Sequence, residues 1–343
     1  MKEQTRKQMG RPAAEGRKRR MLKAAGWASL SVLLIAAGMG LYFYLSVKHT
    51  ADRMYEPLPV SNAAEAGEYT AWRQQQLAQL QREQRQQQLE GAEDTQTVLP
   101  AFTLLLLGVD EREEDRGRAD AILLMTVNPN NSKLFMFNIP RDTRTLLVKR
   151  GFEDKINHAY AYDGIAGTVA TIENFIDLPI DYYVQVNMEG FEAIIDMMDG
   201  VDVDNPFAFD FLEHHYPAGQ LHLSGERALG YIRMRFDDPR GDLGRTERQR
   251  QVVRDLIRRA SRWESLPSIP KVLDALGDHV RTNLTFADMQ RLMMKYRTRI
   301  KTIESTEING HGANIGGIYY FIVDDQERAR IHDRMKEELL GQP

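Results

Sequence analysis

Residues 102–110 read FTLLLLGVD, a near-continuous run of apolar side chains that ends at Gly108 and Asp110. A strand with one face in water alternates apolar and polar side chains, whereas an unbroken apolar run is typical of a strand buried on both faces. The run therefore predicts a buried strand in a layered fold.

Patterns of strands and helices alternate after this run. The stretch DAILLMTVNPNNSKLFMFNIPRD indicates two strands joined by an Asn-Pro-Asn-Asn turn, and IDYYVQVN, IKTIESTEI and GGIYYFIVD indicate further strands. Helical patterns occupy the second half of KINHAYAYDGIAGTVATIENFID and the stretches GFEAIIDMMDG, TERQRQVVRDLIRRASRW, FADMQRLMMKYRTRI and DQERARIHDRMKEELL. Strands interleaved with helices predict one α/β domain over residues 101–343, a layered α-β-α domain with a mixed central sheet.

The N-terminal part of the chain predicts a membrane anchor. Residues 24–47 carry no formal charge, and as a helix they would be about 36 Å long, enough to cross the hydrocarbon core of a bilayer. Residues 1–23 contain nine Lys or Arg and two acids, so the positive-inside rule places this basic tail in the cytoplasm and the rest of the protein outside. The alternative is a cleaved signal peptide, although the run is longer than a typical signal core and has no clear cleavage site.

Residues 48–100 are rich in glutamine and sustain no heptad, so they predict a polar stalk, helical or partly disordered, without chemistry of its own. The chain contains no cysteine, which excludes disulfides, thiol catalysis and cysteine-ligated metals. Outside the basic tail the chain is acidic, which argues against a nucleic-acid partner.

Two aspartates are candidate ligands of a metal ion. Asp110 comes at the end of the first buried strand, and Asp120 opens the next strand after Gly117 and Arg118. A pair of carboxylates at neighbouring strand ends is an arrangement that Mg²⁺ accepts, with water and phosphate oxygens completing its coordination. The alternative is that both side chains only cap turns.

The stretch YIRMRFDDPRGDLGRTERQRQ, residues 231–251, predicts an anion site. Arg233 and Arg235 alternate with apolar residues, as in an extended segment, while Arg245 and Gln249 share one face of a helix that Asp242 or Thr246 would cap. Guanidinium groups that converge from two elements are typical of phosphate sites, because each binds two oxygens. The alternative is a surface of solvated salt bridges. Two further arginines, Arg118 and Arg141, adjoin the predicted strand ends.

No P-loop motif and no G-x-S-x-G motif is present, so the sequence does not support a nucleotide-dependent enzyme or a serine hydrolase of these types.

Five motifs in order resemble the LytR-CpsA-Psr family of cell-wall glycopolymer transferases: LLLLGVDER, GRADAILLMTV, NIPRDT, KINHAYAYDG and the arginine-rich stretch above. The match is tight over residues 102–259 and looser to residue 340. Ala119 and Ala121 stand where Ser and Thr are common in the family, and neither change affects a charged ligand.

The resemblance implies a membrane-anchored phosphotransferase that moves a glycopolymer, such as teichoic acid or capsule, from a polyprenyl-diphosphate carrier to peptidoglycan. It implies Mg²⁺ (or Mn²⁺) bound by Asp110 and Asp120, with Asp242 orienting arginines or contacting the acceptor. The implied diphosphate ligands are Arg118, Arg141, Arg233, Arg235, Arg245 and Gln249, with Lys155 at the pocket mouth, and the implied catalytic residues are Asp110, Asp120, Arg118, Arg141 and Asp242. A metal-bound aspartate is our hypothesis for the base, and Arg240, Arg248 and Arg250 are expected to face solvent. A polyprenyl-diphosphate hydrolase and a non-catalytic envelope sensor are the alternative functions.

Overall fold

A computed structural model of the protein describes residues 12–58, 67–90, 99–111, 117–262 and 276–341. The chain divides into two compact units, Met1–His49 and Thr50–Pro343. Helix α1 comprises Pro12–Met54. Residues 1–11 of the predicted basic tail lie outside the described residues, as do several side chains of the predicted anchor. Among the helices that the structure does describe, none combines the length and the hydropathy of a membrane span.

The second unit alternates strands and helices in the order that the sequence predicted. Its first half contains α2 (Gly67–Glu90), β1 (Phe102–Val109), β2 (Ala119–Asn128), β3 (Lys133–Asn138), β4 (Arg144–Leu147), β5 (Phe152–Lys155), α3 (His158–Ile176), β6 (Tyr182–Val186) and α4 (Met188–Met197). Its second half contains β7 (Val201–Asn205), β8 (Phe209–Phe211), β9 (His214–Tyr216), β10 (Gly219–Leu223), α5 (Gly225–Arg233), α6 (Asp242–Arg262), β11 (Val280–Thr282), α7 (Phe286–Arg291), a π-helical turn (Leu292–Tyr296), β12 (Thr302–Thr306), β13 (His311–Ile315), β14 (Ile318–Ile322) and α8 (Asp325–Leu340).

A mixed sheet lies at the centre of this unit. Six of the described strands form it in the order β11-β6-β1-β2-β3-β12. β1 pairs antiparallel with β2 and parallel with β6, and β12 pairs parallel with β3. The prediction of an α/β domain with a mixed central sheet is confirmed.

Both faces of the sheet are covered, as the unbroken apolar run in β1 predicted. Leu105 and Leu107 on one face pack in a core with Ile172 of α3 and Met335 of α8. The opposite face of the sheet carries a second core, formed by the side chains Leu123, Met125, Val127, Leu134 and Met136, and Val253 and Ile257 of α6 pack against it. Helices therefore lie on both sides of the sheet.

Helix α2 belongs to the folded unit, although the sequence placed it in a polar stalk. Its Leu80 is buried in the core beneath α3 and α8. Arg73 donates from Nε to a fully buried carboxylate, Glu173 of α3, at 3.0 Å, and Tyr69 donates to the same carboxylate. Burial raises the pKa of Glu173 even though Arg73 opposes it. A few contacts to one buried acid therefore dock a helix whose sequence is otherwise polar.

Two expectations for the arginine-rich stretch are wrong. Residues 231–233 are the last turn of α5 and not extended, because Ala228 and Tyr231 bury one helical face of that segment. Arg248 and Arg250 are almost fully buried and do not face solvent. Arg240 is half exposed, as predicted.

The two buried arginines hold α6 in place. Arg248 forms an ion pair with Asp238 and donates to the carbonyl oxygen of Tyr231 at 2.9 Å. Arg250 pairs with Glu307 at 2.8 Å and donates to Asn138 Oδ1 at 3.1 Å. These partners lie in α5, on the turn before α6, at the end of β3 and just beyond β12, so α6 is attached to four separate segments.

Removing Asp238 should destabilise the protein, because Arg248 would be left as an uncompensated buried charge. We expect Asp238→Ala to lower the free energy of unfolding by about 3 to 5 kcal/mol. Urea unfolding of the full-length chain in detergent, followed by circular dichroism, measures the change. The neighbouring Asp237 is exposed, so Asp237→Ala is the matched control. Equal stability of the two variants would contradict this role of the pair.

Candidate functional site

A β-bulge places the two candidate metal ligands. Gly108 pairs with Ala121 and Val109 pairs with Ala119, so Asp120 is the extra residue of the bulge in β2. A bulge changes the direction of its side chain, here towards Asp110 at the end of β1. Gly117 closes the connection with a φ of +72°, and a Cβ there would lie 1.9 Å from the carbonyl oxygen of Asp110. Both carboxylates line the same cleft.

Two arginines contact this pair from different elements. Arg141 leaves β3 after Ile139 and Pro140, and its Nη1 lies 2.9 Å from Asp120 Oδ1. Arg245 is in the first turns of α6, where its Nη2 lies 2.9 Å from Asp242 Oδ1 and 3.4 Å from the carbonyl oxygen of Asp120. Arg233 ends α5 and Arg235 follows it, and both line the cavity that Arg141 and Arg245 border.

The pKa shifts of Arg141 and Arg245 have opposite signs. Burial by itself would lower the pKa of both side chains. For Arg141 the carboxylates of Asp120 and Asp242 outweigh burial, and the pKa is raised. For Arg245 burial is the largest effect and the charges of Arg141 and Arg235 add to it, so its pKa is lowered despite Asp242. Asp242 and Asp120 therefore compensate the charge of the buried Arg245 only in part.

A donor of Arg245 is also unused. Its side chain is 7% exposed, and its buried Nε has no hydrogen-bond partner within the described part of the chain. A buried guanidinium without full compensation is unfavourable, and an anion with several oxygens would supply both the charge and the acceptors. The site is therefore suited to a multivalent anion.

An apolar cavity extends from the arginines into the protein. Its volume is about 340 Å³ and it passes between the sheet and the helices α4, α5 and α6. Its apolar wall includes Leu106, Leu123, Phe191, Ile194, Ile232, Val253 and Leu256, while Asp110, Asp120, Arg141, Arg233, Arg235, Arg245 and Gln249 also line it. The combination fits a molecule with an anionic head and an apolar tail.

A second cavity on the other side of the arginines is polar. It has a volume of about 590 Å³ and shares Asp110, Asp120, Arg141 and Arg235 with the apolar cavity. The hairpin β4–β5 brings Lys155 to this cleft, where its Nζ donates to Asp142 Oδ1 at 2.7 Å. Arg118 lines the cleft as well.

The structure brings nearly all of the predicted site residues to these two cavities. The exception is Asp242, which lines neither cavity but pairs with Arg245. Gln249 is fixed by its Oε1, which accepts from Asn138 Nδ2 at 3.1 Å. Apart from Asp242, the arginines and aspartates predicted from four of the five motifs therefore lie around one connected space, with Lys155 of the fifth motif.

Six polar lining residues were missed as site residues. They are Asn138, Asp142, Asn157, His158, Asn187 and Tyr319. Of these, His158 lies in the motif KINHAYAYDG, from which only Lys155 was predicted as a site residue. The spacing of Asp154 and His158 was a usable signal, because it places an acid near the imidazole across the junction of β5 and α3. Tyr319 gave no such signal, since its hairpin, β13–β14, is brought to the cleft by tertiary contacts, among them those of Phe321 with residues 142 and 143.

The donor set of the cleft fits a divalent cation. Asp110 and Asp120 offer hard carboxylate oxygens beside an anion site, which suits Mg²⁺ with waters and phosphate oxygens as its other ligands. Among the described residues, no group of three or more His, Cys, Asp or Glu could hold a metal ion without further ligands. A cation here would thus rely on the bound anion for part of its coordination.

Comparisons with known proteins identify the family of the chain. A profile of the LytR_cpsA_psr family matches residues 69–337, a range that begins within α2. The chain is 39% identical over 323 residues to the polyisoprenyl-teichoic acid–peptidoglycan teichoic acid transferase TagU of Halalkalibacterium halodurans, covering 94% of this chain and 99% of that protein. It is 42% identical over 238 residues to the TagU of Bacillus subtilis, covering 69% of this chain and 78% of that protein.

Solved structures show the same fold. The crystal structure of B. subtilis TagU is 38% identical and superposes with a TM-score of 0.57, covering 70% of this chain and 97% of that one. A structure of TagT bound to LI-WTA is 28% identical with a TM-score of 0.60, covering 72% of this chain and 95% of that one. With a family match over most of its length and relatives this similar, the chain belongs to the LytR_cpsA_psr family.

Proposed function

We propose that this protein transfers an anionic glycopolymer of the teichoic acid type from a polyprenyl-diphosphate carrier to peptidoglycan. The observation that carries the proposal is the cluster of Asp110, Asp120, Arg141 and Arg235 between an apolar cavity and an open polar cleft. A lipid-linked diphosphate has an apolar tail, an anionic centre and a sugar head in the same order. The relatives named as teichoic acid transferases support the same substrate class.

The arginines act on the diphosphate in this proposal. Phosphoryl transfer requires positioning and neutralisation of negative charge more than covalent help from the protein. Arg245 would bind an oxygen with its unused Nε, and Arg233 and Arg235 would bind from the end of α5. Asp242 holds the Nη2 side of Arg245, which fixes the direction of the guanidinium. Lys155 and Arg118 would contact the sugar phosphate from the cleft.

A hydroxyl of the acceptor glycan enters from the polar cleft and attacks the phosphorus attached to the donor sugar. Polyprenyl phosphate is the leaving group, so the reaction requires no nucleotide. Asp110 and Asp120 would hold Mg²⁺ (or Mn²⁺), which supplies neutralisation of the diphosphate oxygens when bound. The apolar cavity takes the first part of the prenyl chain.

We propose further that residues 24–47 anchor the protein in the cell membrane, with the N-terminus in the cytoplasm and the catalytic unit outside. The support is the absence of charge over these residues and the exposure of large apolar side chains, among them Trp27, Leu33, Leu34 and Ile35. A substrate with a prenyl chain is found in the same membrane.

Replacing Arg245 tests the transferase directly. In an assay with purified full-length protein in detergent, Mg²⁺, a polyprenyl-diphosphate-linked oligosaccharide and peptidoglycan, we expect Arg245→Ala to lower kcat about 10²- to 10³-fold, as for other charge-stabilising donors. Arg258 lies on the same helix and is exposed, so Arg258→Ala should retain activity. Release of the phosphorylated glycan into solution without attachment would favour a hydrolase instead.

If Asp120 holds the cation, removing its carboxylate should abolish the effect of Mg²⁺. In the wild type we expect Mg²⁺ to increase the Tm shift caused by inorganic pyrophosphate, because oxygens of the anion would complete the coordination of the cation. Asp120→Ala should abolish this increase and the transfer reaction, whereas Asp210→Ala, which alters an exposed carboxylate, should not. An unchanged effect of Mg²⁺ in Asp120→Ala would refute the assignment.

The anchor predicts membrane association that depends on residues 24–47. Full-length protein should stay in the membrane fraction after alkaline carbonate extraction, and a chain that begins at Thr50 should not. Protease added to intact spheroplasts should degrade the catalytic unit. Extraction of the full-length protein by carbonate would show that the segment does not anchor it.

A further inference from the structure

His158 and Asp154 form a hydrogen-bonded pair at the polar cleft. Nδ1 of His158 lies 2.8 Å from Asp154 Oδ2, and His158 lines the cleft together with both candidate metal ligands. Asp154 is the penultimate residue of β5 and His158 begins α3, so the pair connects two elements across one tight junction. Three quarters or more of each side chain is shielded from solvent, since their exposed fractions are 16% and 23%.

The surroundings of Asp154 determine which ring nitrogen carries the proton. Burial by itself would raise the pKa of this carboxyl, but hydrogen bonds from His158, from the backbone N–H of Lys155 and from Tyr320 outweigh burial and lower it. An ionised carboxylate only accepts hydrogen bonds, so Nδ1 of His158 is the donor. In the neutral ring the lone pair is then on Nε2, the nitrogen that remains for a ligand in the cleft.

The other acid–base groups of the cleft are either already paired or, as the tyrosine is, held in the protonated form. Asp142 accepts from Lys155 at 2.7 Å and lies 3.9 Å from Nε of Arg141. Asp120 is paired with Arg141 at 2.9 Å, and Asp110 and Asp120 are the candidate metal ligands. Tyr319 has a raised pKa, through burial and then the charges of Asp142 and Asp242. A neutral imidazole keeps a free lone pair among these groups.

Asn157 adds a second sign of a ligand in the cleft. It is 4% exposed and lines the cleft, and within the described residues its Oδ1 has no hydrogen-bond partner. Its backbone N–H donates to the carbonyl oxygen of Arg141 at 3.3 Å, which ties this end of α3 to the arginine cluster. A sugar hydroxyl would supply the missing donor to Asn157.

We propose that His158, oriented by Asp154, is the general base that deprotonates the acceptor hydroxyl, and that the cleft beside Asn157 is the acceptor subsite for a glycan. The inference rests on the transferase proposal and deepens it. It replaces a metal-bound aspartate as the base.

The proposed step transfers one proton and exchanges one bond to phosphorus for another. Nε2 of His158 takes the proton of the acceptor hydroxyl while the hydroxyl oxygen forms a bond to the phosphorus attached to the donor sugar. The bond from that phosphorus to the bridging oxygen breaks, and its electron pair leaves with polyprenyl phosphate. The imidazolium then returns its proton to solvent through the open cleft. No oxidant, reductant or nucleotide takes part.

Kinetics of full-length variants in detergent test the assignment. We expect His158→Ala to lower kcat for transfer about 10²- to 10³-fold, within the usual contribution of general bases. Its KM for the lipid-linked donor and its Tm shift with inorganic pyrophosphate should stay close to the wild-type values, because the arginines are intact. Added imidazole should restore part of the activity of His158→Ala and none of that of Asp120→Ala.

The chain contains a matched control for the pair. His215 Nδ1 lies 2.8 Å from Asp210 Oδ1 in an exposed His-Asp pair that does not line either cavity. His215→Ala should therefore leave kcat unchanged. If His158→Ala does not fold, His158→Gln, which keeps a polar side chain of similar size, gives the same comparison.

Two outcomes would overturn the base assignment: transfer by His158→Ala within about threefold of wild type, or loss of activity that imidazole does not restore and that accompanies loss of pyrophosphate binding. Failure of the transferase proposal has a different result. If the wild type releases the phosphorylated glycan to water, the acceptor is water, and His158→Ala should then slow hydrolysis by the same factor.

Discussion

The attachment of α6 to the central sheet is the constraint on which the site depends. Two of its arginines are buried in structural ion pairs, Arg248 with Asp238 and Arg250 with Glu307. Burying a charge is unfavourable unless it is paired, so these two contacts fix both the rotation and the position of the helix. With the helix held in this way, Arg245, one turn before them, cannot move away from Arg141 and Arg235. The structural arginines thus hold a third arginine in a place where its charge is only partly compensated.

The incomplete compensation concerns Arg245 and not its neighbour Arg141. Arg141 lies beside Asp120 and has a raised pKa, whereas Arg245, with Asp242 as its ion-pair partner, has a lowered one because of burial and its cationic neighbours. An anion bound between them would remove the repulsion and satisfy Nε of Arg245. The free energy gained by binding an anion here is therefore larger than at a solvated surface arginine. The same positive charge explains how carboxylates at Asp110 and Asp120 coexist with an anion site.

The parts of this arrangement that follow local rules could be predicted from the sequence. The strands β1 to β3 are buried on both faces and have unbroken apolar runs, and Asp110, Asp120 and Arg141 stand at their ends. The burial of Arg248 and Arg250 could not be predicted, because Glu307 is far away in the sequence and a charged residue by itself indicates solvent. The docking of α2 depends in the same way on Glu173, about a hundred residues from Tyr69 and Arg73.

Two cavities with a shared wall separate the requirements of the two proposed substrates. In this proposal the apolar cavity would shield the prenyl chain from water and the polar cleft would admit a hydrated glycan, and the two cavities meet at Asp110, Asp120, Arg141 and Arg235. Each substrate would be bound from its own side, which would bring the reacting oxygen and phosphorus together without either cavity accommodating the other molecule. The position of His158 on the cleft side is consistent with this division, since a base for the acceptor is useful only where the acceptor enters.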